Sequence, residues 1–158
     1  RDAASLMSET GPPAAASLPR DLGLELRAEA AIARGPSASA LALLKQTAGE
    51  SWYEYHFASP FLAGSRERYL RAGLEAAQGD ARQAIALFGG FEGFSGYALV
   101  YAAPSHLRRA ELYERLGDRS AAAAHYSRFL DLWKDCDPEF RPLVDSARAG
   151  LQRVTSPR

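Results

Sequence analysis

Three histidines, one cysteine, a glycine-rich run and a recurring arginine are the residues whose chemistry could reach beyond packing. His56, His106 and His125 are scattered along the chain and form no HExxH or comparable metal-ligand spacing. Catalysis needs a nucleophile, a base and a charge-stabilising group brought together, and these positions spell no such set. His125 falls beside core positions of its helix, where a packing or surface histidine is expected. Cys136 follows Trp133, Lys134 and Asp135. A nearby lysine lowers a thiol pKa, but Asp135 and Asp137 oppose it, so the residue reads as an inert thiol. As the sole cysteine it excludes an internal disulfide, a CxxC redox pair and a four-thiolate zinc site. The run GGFEGFSG (89–96) has the glycine density of a phosphate cradle. A P-loop requires Lys followed by Ser or Thr after its last glycine, whereas Gly96 is followed by Tyr97 and Ala98. The dinucleotide fingerprint needs a preceding strand, and none is predicted. The expectation is therefore no enzyme activity in this segment, no cofactor and no metal.

Arg27, Arg71 and Arg109 recur at one place in an internal repeat, with Arg108 beside the last. Two readings exist: a structural ladder whose stems cover neighbouring helices while Glu67, Glu75, Glu111 and Glu114 supply counter-charge, or a groove for a carboxylate or acidic peptide. The balanced charge favours the ladder. Across 158 residues, 19 basic side chains meet 19 acidic ones, and 47% of residues are apolar. That composition fits one folded domain and lacks the basic surplus of a nucleic-acid binder. Between residues 84 and 104 the only charge is Glu92, but Gly89, Gly90, Gly93 and Gly96 interrupt the run, so no membrane insertion is expected. The absence of disulfide chemistry favours a cytoplasmic setting while permitting a periplasmic one. The opening Arg1 and the lack of an apolar leader in residues 1–20 read as a segment cut from a longer polypeptide.

The elements that must position these residues come from the repeat itself. Residues 66–88 align with 104–126 at an offset of 38, matching Arg71 to Arg109, Ala72 to Ala110, Leu74 to Leu112, Ala84 to Ala122 and Phe88 to Tyr126. A third copy at 27–44 aligns with the second at an offset of 44 through Arg27, Ala28, Gly35, Ala40 and Leu44. Each copy reads as a helix, a Gly corner at 35, 79 or 117, and a second helix. Glycine tolerates the left-handed conformation that ends a helix, and Asp80 or Asp118 can then cap the next one. Ala110 and Ala122 are small where paired helices approach, while Leu112, Leu116, Tyr126 and Phe129 supply bulk.

The segment RAELYERLGDRSAAAAHYSRFLDLW resembles the tetratricopeptide repeat, with Ala110, Tyr113, Gly117, Ala122 and Tyr126 on the signature places. It departs from that pattern at His106, Arg109 and Phe129; the second copy has Glu75 where the third has Tyr113, and the first has Pro36 after its glycine. The resemblance covers about residues 21–137, and steps above ~34 residues require insertions in the connections. It implies an all-α fold: a right-handed α-α superhelix of about three helix pairs (residues 21–50, 59–92 and 103–137) plus a capping helix at 139–154. Residues 1–20 read as a linker or the remnant of a preceding helix, and 155–158 as a tail. The first helix of the third pair is expected near Pro104, and that of the second near residues 59–60. The aromatics at 52–61 and 91–97 either fold back onto the array or line a partner site.

In this family the concave face, lined by first helices, holds peptides or partner domains. The resemblance therefore implies a protein-interaction domain with a protein or peptide partner and no nucleic acid. The expected groove contributors are Glu25, Glu29, Tyr69, Leu107, Arg108 and Glu111. The stretch from Tyr101 to Val154 also resembles the C-terminal end of large bacterial signalling proteins, where a Ser/Thr kinase or regulatory output domain precedes the array. That implies a sensory or assembly region of such a regulator; the alternative is a stand-alone adaptor or assembly subunit. No oligomeric state follows from the sequence.

Overall fold

The computed structural model describes residues 13–35, 38–47, 59, 63–91 and 96–157. Among them are seven α-helices: α1 Pro13–Ile32, α2 Ala38–Leu44, α3 Ser65–Ala77, α4 Ala81–Phe88, α5 Gly96–Leu116, α6 Arg119–Leu132 and α7 Arg141–Thr155. Short 3-10 turns lie at Gly89–Phe91 and Pro138–Phe140, and there is no strand among the described residues. The fold class is all-α. No helix of the described residues is long and apolar enough to cross a membrane.

Each hairpin is set by its corner. Gly79 and Gly117 have φ of 93° and 80°, values an L side chain rarely adopts. At the second of these corners the Gly117 amide donates to Glu114 (3.1 Å) and the Asp118 amide to Tyr113 (3.0 Å), satisfying the last carbonyls of α5. The Gly79 and Asp80 amides repeat the pattern to Ala76 (3.2 Å) and Glu75 (2.9 Å). Asp80 Oδ1 then accepts from the Gln83 amide and Asp118 Oδ1 from the Ala121 amide, both at 3.0 Å. Gly35 makes the first of these bonds, to Ile32 at 2.8 Å, and is followed by a proline, which has no N–H to give.

The pairs α1–α2, α3–α4 and α5–α6 close on alanines. Ala28 and Ala40, Ala72 and Ala84, and Ala110 and Ala122 are all at 0% exposure. One turn beyond the second alanine, Leu44, Phe88 and Tyr126 fill the space at 2% exposure or less. Neighbouring pairs share a core because Leu74 of α3 enters the cluster of the first pair and Leu112 of α5 that of the second. After the third pair comes the single helix α7, whose Val144, Ala147 and Val154 join the core of that pair.

Polar contacts hold α7 in place. The Tyr126 hydroxyl donates to Glu114 at 2.6 Å, and Arg153 donates to both oxygens of the same carboxylate at 2.9 and 3.2 Å. Arg119 donates to the terminal carbonyls of α7, Val154 (2.9 Å) and Arg153 (3.3 Å). The Tyr126 ring packs against Gly150, where a Cβ would fall 2.4 Å from its Cζ. A second polar group is buried in the middle pair. Glu75, at 3% exposure, stands where the third copy has Tyr113, and its Oε1 meets Lys45 Nζ of the preceding pair at 2.9 Å.

Several boundaries differ from those expected. Helix α1 runs back through Pro13, across the boundary placed at residue 20, with Pro19 inside it; residues 1–12 lie outside the described residues. Proline is favourable in a first turn, and the burial of Leu24 and Ala28 anchors the helix further on. Helix α5 begins at Gly96 rather than Pro104, so proline lies in its interior. This extension buries Ala98 and Ala103 and packs Tyr101 against the second core. Helix α3 starts at Ser65, after Gly64 with φ of 63°, rather than near residues 59–60. The last helix, expected at 139–154, spans Arg141–Thr155 after a 3-10 turn. Leu116, expected in the core, is 52% exposed because it sits in the last turn of α5, one residue before the corner.

Two outcomes follow. Gly150→Ala is expected to destabilise the protein by about 1–3 kcal/mol in urea unfolding, with part recovered by Tyr126→Leu in the same chain. Lys45→Met leaves the Glu75 carboxylate buried without its cation and should cost about 1–3 kcal/mol, whereas Lys45→Met with Glu75→Leu should restore most of it.

Candidate functional site

Helices α1, α3 and α5 are the first members of the three pairs. Together they carry the expected groove contributors, most of which line a hollow. Leu107 is the exception. It is 6% exposed and belongs to the core of the last pair with Ala103 and Ala110, because residues 103, 107 and 110 share one stripe of α5. The other five divide between two hollows.

The first hollow, of about 280 Å³, is lined by Leu22, Glu25, Leu26 and Glu29 of α1 with Gly64, Arg66 and Glu67 across from them. Arg66 Nε pairs with Glu29 Oε1 at 2.6 Å. Burial lifts the Glu25 carboxyl from its ordinary 4.5 to about 7, and the neighbouring charges of Glu67, Glu29 and Asp21 push the same way against Arg66. Burial also raises Glu67, opposed by Arg71 and by the Thr47 hydroxyl that donates to it.

The second hollow, of about 300 Å³, lies between α3 and α5 and reaches Ile32 at the end of α1. Tyr69, Leu70, Gly73, Leu74 and Ala77 line it from α3; Arg108, Glu111, Leu112 and Arg115 line it from α5. Arg108 donates to Glu111 at 3.0 Å and shares the hollow with Tyr69. Tyr69 is held by an aromatic group: Phe88 at 5.3 Å edge-on, Phe91 at 6.0 Å and Tyr101 at 5.0 Å between ring centroids. Phe91 is fully buried, with Arg68 over its ring at 5.9 Å and donating to the Gly90 carbonyl at 3.1 Å. Of the connection aromatics, Phe91 therefore folds back onto the array, whereas Trp52, Tyr53, Tyr55, Phe57, Phe61 and Phe94 lie outside the described residues. Arg66, Glu67, Gly73, Tyr101 and Arg115 were not anticipated as lining or wall residues. Tyr101 was hidden by the expected helix start at Pro104, and the others by the lack of any local motif around them.

The arginine ladder takes a different form from the one expected. Arg27 is exposed, Arg71 lies near Glu67, and the Arg109 guanidinium covers Gly89, 3.9 Å from where a Cβ would lie. Of the acids expected to serve it, Glu67 lies near Arg71 and Glu111 pairs with Arg108, whereas Glu75 pairs with Lys45 and Glu114 with Arg153. The histidines are not all scattered. His106 Nδ1 and His125 Nδ1 are 2.8 Å apart, and Tyr113 stacks on His125 at 5.5 Å and 6°. Antiparallel packing of α5 and α6 brings them level, since one lies a turn before Ala110 and the other a turn after Ala122. One ring must donate and the other accept, so the pair ties the two helices together. His56 is outside the described residues, and among those described no group of three or more His, Cys, Asp or Glu could hold a metal. Cys136 is half-buried against the core of the last pair.

Comparison with known proteins found no matching family model, no similar curated protein and no similar solved structure.

The elevated Glu25 pKa has a measurable consequence. Between the ordinary 4.5 and about 7 the folded state holds a proton that the unfolded state releases, so stability falls as pH rises through that window. Glu25→Gln, which stays neutral, should melt above the wild type at pH 8, with the gap closing at pH 5; thermal melts across that range read it directly.

Proposed function

We propose that this chain is a tetratricopeptide-type interaction domain that holds a peptide or partner domain against the faces of α1, α3 and α5. The reading is carried by one observation: Tyr69, Arg108 and Glu111, from consecutive first helices, line one open hollow with an apolar floor. Tyrosine and arginine are the residue types on which binding energy concentrates, since each joins broad contact area to a directed polar group. Here both are held in place, Arg108 by Glu111 and Tyr69 by three rings, so little side-chain freedom is lost when a partner docks. The repeated Gly corners and alanine crossings support the family assignment. The setting proposed is the C-terminal sensory or assembly region of a larger bacterial signalling protein, where an interaction array couples a partner to an output domain.

Peptides selected from a random phage-displayed library on the full chain provide the test. Tyr69→Ala and Arg108→Ala should each weaken the selected peptides about tenfold, near 1.4 kcal/mol, with unchanged helical circular dichroism. Undiminished affinity in both folded variants would refute binding in this groove.

A further inference from the structure

Gly73 occupies the middle of α3, where glycine lowers helix stability by roughly 0.5–1 kcal/mol relative to alanine. Nothing in the fold requires it. The residue is exposed, and a Cβ built on it meets no atom within 4 Å. Gly150 is the opposite case, since its Cβ would strike Tyr126. The matching positions of the other two copies are both glutamates, Glu29 and Glu111, and each is engaged by an arginine, Arg66 and Arg108. The middle copy therefore has a gap where its neighbours carry a long acidic side chain.

That gap opens into the second hollow. Its surroundings are apolar, with Ile32, Leu70, Leu74, Ala77 and Leu112. Charge at the rim is unequal. Arg108 is neutralised by Glu111, while Arg115 is exposed and has no ion pair or hydrogen bond with the described residues. The volume of about 300 Å³ is at the low end for a ligand site, which suits one side chain rather than a bulky molecule. Ile32 of α1 and Arg115 of α5 bound it on two sides, so a bound chain would cross it rather than end there.

We infer that the hollow over Gly73 takes one large apolar side chain of a peptide whose neighbouring Asp or Glu pairs with Arg115. The missing Cβ lets the peptide approach the α3 backbone, and the lone cation selects the acidic neighbour. This deepens the proposed peptide-holding function and rests on it.

The full chain, 15N-labelled, would be titrated with acetylated and amidated Gly-Ser heptapeptides carrying Leu-Asp, Leu-Lys or Ser-Asp at the centre; amidation leaves side chains as the only carboxylates. The Leu-Asp peptide should shift the Gly73 amide and bind at least fivefold more tightly than the other two. Gly73→Leu should abolish that binding while raising the melting temperature, with Gly73→Ala intermediate in both, and Arg115→Glu should reverse the preference towards Leu-Lys. Equal binding of the three peptides, no binding by any of them, or Leu-Asp binding that survives Gly73→Leu, would overturn the inference. In each case library-selected peptides that still depend on Tyr69 and Arg108 would leave the groove reading standing, and their loss of that dependence would remove both.

Discussion

The distance at which paired helices can cross governs the rest of this molecule. At three crossings the two facing residues are alanines with no exposed surface, 28 with 40, 72 with 84 and 110 with 122. A larger side chain at any of them would push the pair apart and open the space that Leu44, Phe88 or Tyr126 fills one turn away. In the second and third pairs the Gly corner brings the crossing into register, because a left-handed residue reverses the chain within two positions and the following Asp starts the next helix at once. Close crossing also explains the meeting of His106 and His125: α5 and α6 are near enough for two imidazoles to share a single hydrogen bond.

Because each pair crosses tightly, its remaining apolar surface is narrow and lies towards the next pair. Leu74 and Leu112 hold the same repeat position, and each serves the core of the pair before its own. The last core receives Val144, Ala147 and Val154 of α7 in their place, and Glu114 adds polar contacts by taking the Tyr126 hydroxyl and the Arg153 guanidinium together. Hydrogen bonds from these two hold the Glu114 carboxyl below its ordinary pKa, despite some opposition from burial, so the carboxylate persists in mildly acidic solution. Two hollows lined largely by α1, α3 and α5 remain open between these cores.

The corners and crossings were legible in the sequence because both are local and repeat at offsets of 38 and 44. The helix starts were not. Glycine and proline read as breakers, yet α5 runs through both from Gly96, with Ala98 and Ala103 buried and Tyr101 packed on the second core. Leu107 was misplaced for a related reason: the stripe through 103, 107 and 110 becomes continuous only when the helix is extended backwards. Tyr69, Arg108 and Glu111 come together in one hollow, but their mutual contacts depend on how α3 and α5 stack, which no motif encodes. Gly73 was invisible for the opposite reason, since a gap is defined by what surrounds it.

The zero net charge conceals a patterned surface. At matching positions Glu29 and Glu111 are each tied to an arginine, so these two places along the trough are locally neutral and already occupied. Near α1 the balance is acidic, and burial with mutual repulsion keeps a proton on Glu25 near neutral pH. Near the end of α5 the balance is basic through Arg115. Charges this close to a low-dielectric wall act over a few ångströms, while salt screens their sum at longer range. On the proposed binding role, a partner is therefore recognised by its order of charges along the hollows rather than by its total charge.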